Sequence, residues 1–294
     1  MRHQRDYCGR LPCAALVPDP CTLYIGDMKL WIPFVKTAPV VSVLRLQGTI
    51  ANGSRTSTAL DDVTLAPMIE RAFRRGKPAA VALVINSPGG SPVQSSLIAA
   101  RIRRLADEKK IPVYAFVEDV AASGGYWLAS AADEIWIDHS SIVGSIGVIS
   151  ANFGFQELIN RYGVERRVHT AGKSKSTLDP FQAEKPADVK RLKVILEQMH
   201  QTFINQVRAR RGLKLKDDMD LFTGEFWIGQ TGVDLGLADG IGHMVPKMQE
   251  IFGKKVKFIR YVQKQSLLRR FGAQIIDDAF HSIEERAEFA RYGL

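Results

Sequence analysis

Apolar positions along the chain fall into two alternating rhythms. Residues 40–48 (VVSVLRLQG), 79–90 (AAVALVINSPGG) and 113–120 (VYAFVEDV) are short, nearly continuous apolar runs ending in turn residues, the pattern of strands buried on both faces. Between them the period lengthens. Leu65, Ile69 and Phe73 share one side of a helix over 60–75, and Leu97, Ile98, Ile102 and Leu105 do so over about 92–109. A further helix is expected from SGG at 123–125, then a short strand at EIWID, 134–138. Buried strands alternating with amphipathic helices predict parallel βαβ units, an α/β fold.

Farther on, 155–170 (FQELINRYGVERRVHT) reads as a helix leading into a strand. Residues 187–211 read as a long helix whose Val189, Leu192, Leu196, Met199, Phe203 and Val207 face a core. From Ser266 onward, Leu268, Phe271, Ile275, Ala279, Ile283 and Ala287 form one stripe, a face that docks on its own core or on a neighbouring subunit. The chain therefore divides into a disordered 1–37, in which Met28 is an alternative start, a domain over 38–250, and a basic, helical 251–294 that serves oligomerisation.

Composition changes this picture little. With 46% hydrophobic and 24% charged residues, the 294-residue chain has a folded core rather than wholesale disorder. The net charge of +9 would suit nucleic acid or an anionic surface. Its cations are spread out, however, with a mild cluster at Lys254, Lys255, Lys257, Arg260, Lys264, Arg269 and Arg270. A solvated basic face with at most weak, peripheral attachment to the inner membrane is expected, and no nucleic-acid partner. The three cysteines all lie in the first 21 residues, which makes no disulfide framework and suits a reducing, cytoplasmic setting. Prolines and charges interrupt the best apolar stretch, 30–46, before it reaches the roughly 18 residues of a membrane span.

Candidate chemistry sits in three turns: NSPGG (86–90), AASGG (121–125) and VGSIG (143–147). Each follows an apolar strand, and ligands of open α/β sheets gather beyond the strands' carboxyl ends. Bare N–H groups of two such turns can form a hole for a developing oxyanion, beside which Ser123 is a candidate nucleophile. A serine needs a base. None of His3, His139, His169, His200, His243 and His281 sits in a motif. The stretch AGKSKSTLDPF (171–181) offers lysines instead, and a lysine accepts a proton if desolvation brings its pKa from about 10.4 towards neutrality.

The ordered blocks NSPGG, AASGGYWLASAADEIW, GSIGV, KSTLDPF and GEFWIGQTGVDLGLADGIG resemble the signal peptide peptidase A family, serine peptidases with a Ser-Lys dyad that share their fold with the Clp protease subunit and the crotonases. The resemblance runs from about Val40 to Val245. It implies a crotonase-like spiral of βαβ units with a parallel sheet and a carboxy-terminal helical extension. It makes Ser123 the nucleophile, Lys175 the base, Ser145 the hydroxyl that orients the lysine, and Gly124 with Gly90, in preference to Gly89, the oxyanion hole. Lys173 is the competing base. Implied too are an endopeptidase acting on extended apolar peptides such as cleaved signal peptides, a homo-oligomer, and no cofactor or metal. In two respects the chain departs from the family: no membrane anchor is expected before the first strand, and Val233 stands where a small residue is usual. Rival readings are a crotonase-type acyl-coenzyme A enzyme and an inactive scaffold.

Overall fold

The computed structural model describes residues 38–52, 59–172, 174–216, 219–262 and 286–294. Its first half follows the apolar rhythm: β1 (Val40–Gln47), α1 (Asp62–Arg74), β2 (Ala80–Ser87), α2 (Pro92–Lys109) and β3 (Val113–Ala122). Local chemistry sets the helix ends. The Asp61 carboxylate accepts the Thr64 N–H at 2.9 Å to start α1. Ser91 caps α2 with Pro92 in its first turn, and Lys110 closes it in the left-handed conformation.

Then come α3 (Gly124–Ala129), β4 (Glu134–Ile137), β5 (Ile142–Gly144), α4 (Gln156–Arg161), α5 (Pro186–Arg211), β6 (Phe226–Ile228), α6 (Gly229–Asp234), β7 (Gly240–Ile241), α7 (Met244–Phe252) and β8 (Lys257–Tyr261). The sheet runs β6-β5-β3-β2-β1-β8, parallel except for β5 with β6. Strand β3 is where it branches. Tyr114 to Val117 pair with β4, whereas Val120 to Ala122 pair with β5. The branch turns the sheet onto a second path through β4 and β7, giving the α/β spiral expected from the sequence.

Every residue of β2 is buried, as a central strand requires. On one face Leu44, Leu83, Ile85 and Val117 pack with Ile69 and Phe73 of α1 and Ile98 and Ile102 of α2; each such side chain contributes about 1.5–3 kcal/mol when fully removed from water. On the other, Val43, Val84 and Phe116 pack under Met248 of α7. Two polar ties hold the second path. Tyr126 on α3 donates to the Leu237 carbonyl at 2.8 Å, and burial pushes its phenol up. Buried Arg211 meets Asp239 at 2.7 Å.

Four expectations are revised. Leu97 is 46% exposed, because it falls outside the arc of α2 that Ile98 and Ile102 press on the sheet. Residues 164–170 form no strand, and all of them are exposed. Helix α5 buries only Phe203, Ile204, Val207 and Arg211. Val189, Leu192, Leu196 and Met199 thus reach no core, because α5 projects beyond the sheet for much of its length. Indeed, no described residue from 149 to 202 is buried. Finally, residues 257–261 of the basic carboxy-terminal segment form β8, parallel to β1. Residues 1–37 and the stripe from Leu268 to Ile283 lie outside the described residues.

Candidate active site

At the end of β3 the chain turns abruptly. Ser123 has φ +50° and ψ −121°, an unusual conformation for a residue with a side chain. It is held on both sides: the Ser123 N–H donates to the Gly144 carbonyl at 2.9 Å, and the Ser123 carbonyl accepts the Trp127 N–H at 3.0 Å. Strain of this kind persists where surrounding bonds over-determine it. The hydroxyl itself makes no hydrogen bond among the described residues, so it is free to address a ligand.

The NSPGG turn meets this corner directly. A Cβ on Gly89, where φ is +106°, would stand 2.8 Å from the Ser123 Cβ and 2.7 Å from the Gly124 nitrogen. A Cβ on Gly124 would stand 3.3 Å from the Gly90 nitrogen. Only glycine permits both approaches. The two glycines of NSPGG differ in their donors. The Gly89 N–H is spent on Ser87 Oγ at 3.2 Å, whereas the Gly90 N–H has no acceptor among the described residues. Gly124, first residue of α3, likewise has no helical acceptor for its N–H. Two open donors therefore stand side by side next to a serine hydroxyl, the arrangement that stabilises an oxyanion.

The third turn arrives through β5. Pairing of Ala122 with Gly144 brings Ser145 alongside, with φ +51° and its N–H donating to the Glu225 carbonyl at 2.6 Å. The Trp227 ring lies where a Cβ on Gly144 would be, at 2.8 Å. His200 Nε2 lies 3.0 Å from the Ile146 carbonyl, linking α5 to this loop.

Lys175 is the predicted site residue that the structure leaves apart. It is exposed, in a turn over 174–178, and its backbone N–H donates to the Gly172 carbonyl at 3.3 Å. No hydrogen bond or ion pair joins it to Ser123 or Ser145 among the described residues. Lys173, its competitor, lies outside them. The arm carrying Lys175 folds on itself through Phe155 and Phe181, ring centroids 5.6 Å apart, and through Arg166, which meets Asp179 at 2.9 Å and the Phe181 ring at 4.9 Å. Of the histidines, His243 pairs with Asp138 at 2.8 Å, and His3 and His281 lie outside the described residues. No cluster of three metal-ligating side chains is found among the described residues.

The profile of peptidase family S49 matches residues 106–255, about half of the chain. The chain belongs to peptidase family S49. It is 33% identical over 208 residues to the "Probable protease SohB" of Haemophilus influenzae, covering 69% of this chain and 57% of that protein. It is 30% identical over 224 residues to the chloroplastic serine protease SPPA of Arabidopsis thaliana, covering 74% and 33%. Over 288 residues it is 47% identical to a protein of Brucella melitensis named Na(+)/H(+) antiporter NhaA, covering 92% of this chain and 39% of that protein. The chain thus spans between one-third and three-fifths of the length of these curated relatives. The S49 match includes the serine turn, VGSIG and KSTLDPF, but not NSPGG, which meets the serine turn through the fold.

Two contributors were missed by sequence reasoning. Ile50 donates its N–H to the Gly89 carbonyl at 2.7 Å and accepts from the Ser91 N–H at 2.6 Å, holding the PGG turn in place. Nothing in its neighbourhood marks it. Tyr292 reaches Ser145 from the far end of the chain.

Proposed function

We propose that this S49 member is a serine endopeptidase in which Ser123 attacks the scissile carbonyl of an extended, apolar peptide. The developing oxyanion sits between the Gly90 and Gly124 N–H groups, Lys175 takes the serine proton and returns it to the leaving amine, and Ser145 orients that lysine. The observation that carries the reading is the pair of open N–H donors beside an unpartnered serine hydroxyl at the convergence of three turns. It requires no metal or cofactor.

Lys175 serves as base once its arm is seated against a serine. The arm's exposed apolar side chains, including Phe153 at 78%, Tyr162 at 74% and Met199 at 42% exposure, support seating on a second copy of the chain in a homo-oligomer. No helix among the described residues is long and apolar enough to cross a membrane; attachment to an anionic surface through the basic carboxy-terminal segment is proposed as weak and salt-sensitive. Ion transport is not carried over from the Brucella relative: the S49 match, residues 106–255, makes up about half of the region shared with it. A fluorophosphonate probe followed by mass spectrometry of the labelled peptide tests the assignment: the label belongs on Ser123, and its appearance elsewhere, or not at all, overturns it.

A further inference from the structure

We infer that His200 is a positioning residue for Lys175: its hydrogen bond to the Ile146 carbonyl clasps the two roots of the arm together, and so sets where the lysine stands and how Ser145 is held. The effect on catalysis rests on the proteolytic reading above; the clasp does not.

The arm hangs from the body at two points. Ile146 is fully buried and is the last buried residue on the way out, and Phe203 is the first on the way back. Among the described residues from 147 to 202 none is buried, and none packs on the apolar core clusters. The arm's own bonds are internal: the Phe155 N–H donates to the Pro180 carbonyl at 2.6 Å, and Arg166 pairs with Asp179. With no core contact along its length, the arm takes its direction from its roots.

The chemistry at the roots is specific. Phe203 stacks on Trp127 of α3, ring centroids 4.9 Å apart, which seats the returning helix against the one that begins beside Ser123. One turn earlier, His200 Nε2 reaches across to the Ile146 carbonyl at 3.0 Å. A carbonyl can only accept, so Nε2 carries the proton, and it does so in the neutral tautomer and in the imidazolium alike. Ile146 lies between Ser145, whose N–H donates to the Glu225 carbonyl at 2.6 Å, and Gly147, whose N–H returns to the Ser145 carbonyl at 2.9 Å. Holding the Ile146 carbonyl therefore also holds the segment that carries the Ser145 hydroxyl.

Leverage makes one hydrogen bond matter. From His200 back to Pro186, α5 runs for about 20 Å at about 1.5 Å per residue. A tilt of about 10° at the root would carry that far end about 3–4 Å, enough to take a lysine amine out of hydrogen-bond reach of a serine. A misplacement of about 1 Å can already cost about a hundredfold in rate. The same bond is half-exposed and adds little to the stability of the whole, so its effect on catalysis can be read apart from folding.

The test compares wild type with His200→Phe, which keeps a flat ring and loses the donor, and with His200→Gln, whose amide nitrogen stands as many bonds from Cβ as Nε2 does. With an apolar fluorogenic peptide, His200→Phe should lower kcat by about tenfold or more while KM stays within about twofold. The fluorophosphonate labelling rate should fall by the same factor, and the thermal midpoint by only about 2–4 °C. His200→Gln should recover most of the lost kcat. Hydrogen exchange of peptides covering residues 144–150 should quicken about fivefold in His200→Phe and stay at the wild-type rate in His200→Gln. An unchanged kcat in folded His200→Phe overturns the inference and leaves the peptidase reading intact; if that variant does not fold, His200→Ala is read in its place. If wild type neither hydrolyses peptides nor takes the label, the peptidase reading falls, and exchange decides the clasp alone: faster exchange over 144–150 supports it, and equal rates overturn it.

Discussion

The Ser123 N–H donates to the Gly144 carbonyl at 2.9 Å, so the backbone that aims Ser123 and the backbone that carries Ser145 are joined by one hydrogen bond. Residue 144 thereby fixes the strand end on which both hydroxyls depend, and Trp227, packed against Gly144, leaves that position no side chain. The corner is rigid before any substrate arrives, as electrostatic preorganisation demands.

Replacing the nucleophile should separate chemistry from folding. Because the Ser123 hydroxyl makes no hydrogen bond among the described residues, Ser123→Ala should abolish peptide hydrolysis and probe labelling with a stability change within about 0.5 kcal/mol. Turnover retained in a clean preparation would sink the mechanism.

Gly89→Ala should lose both. The new Cβ would press on Ser123 and the Gly124 nitrogen in a backbone conformation hostile to side chains, costing about 1–3 kcal/mol. Chemical denaturation and labelling rate read the two effects. A variant as stable and as reactive as wild type would contradict the contact.

The base is tested by charge that cannot leave. A guanidinium stays protonated, so Lys175→Arg should be as inactive as Lys175→Ala, while Lys173→Arg keeps most activity. Ser145→Ala should fall between, losing one hydrogen bond worth about 1–3 kcal/mol if buried. Mixing inactive Ser123→Ala and Lys175→Ala proteins should restore measurable turnover if the arm serves a neighbour's serine. Restoration in neither order of mixing would confine the dyad to one chain.

Asp239 supplies a pH test of the fold. Burial alone would raise its carboxyl, but hydrogen bonds from Arg211, Lys214 and the Ile135 N–H outweigh it and hold it below the ordinary value. A lowered folded pKa means stability that is complete above the unfolded value near 3.9 and is lost as pH falls through the folded one. Asp239→Asn should cost about 3–5 kcal/mol at neutral pH by leaving buried Arg211 without its counter-charge. In urea titrations that gap should narrow below about pH 4; a constant gap would contradict the pairing.

What the sequence determined by itself is what short-range pattern can encode. The period of apolar residues marked β1 to β3, α1 and α2, since burial on two faces or along one stripe leaves a local signature. Five ordered motifs marked Ser123, the glycine turns and KSTLDPF as candidates.

The tertiary structure decided what depends on partners distant in the chain. Only the β3 branch explains why Ser145 lies beside Ser123, and only the Ile50 bridge explains what holds the PGG turn in place. It also decided against a core for the first half of α5: Val189, Leu192 and Leu196 have helical spacing, but spacing shows that a face is apolar without showing what covers it. Tyr292 is the extreme case. Its place against Ser145, 147 residues away, leaves no trace in local sequence, because a contact between positions so far apart is set by how the sheet winds between them.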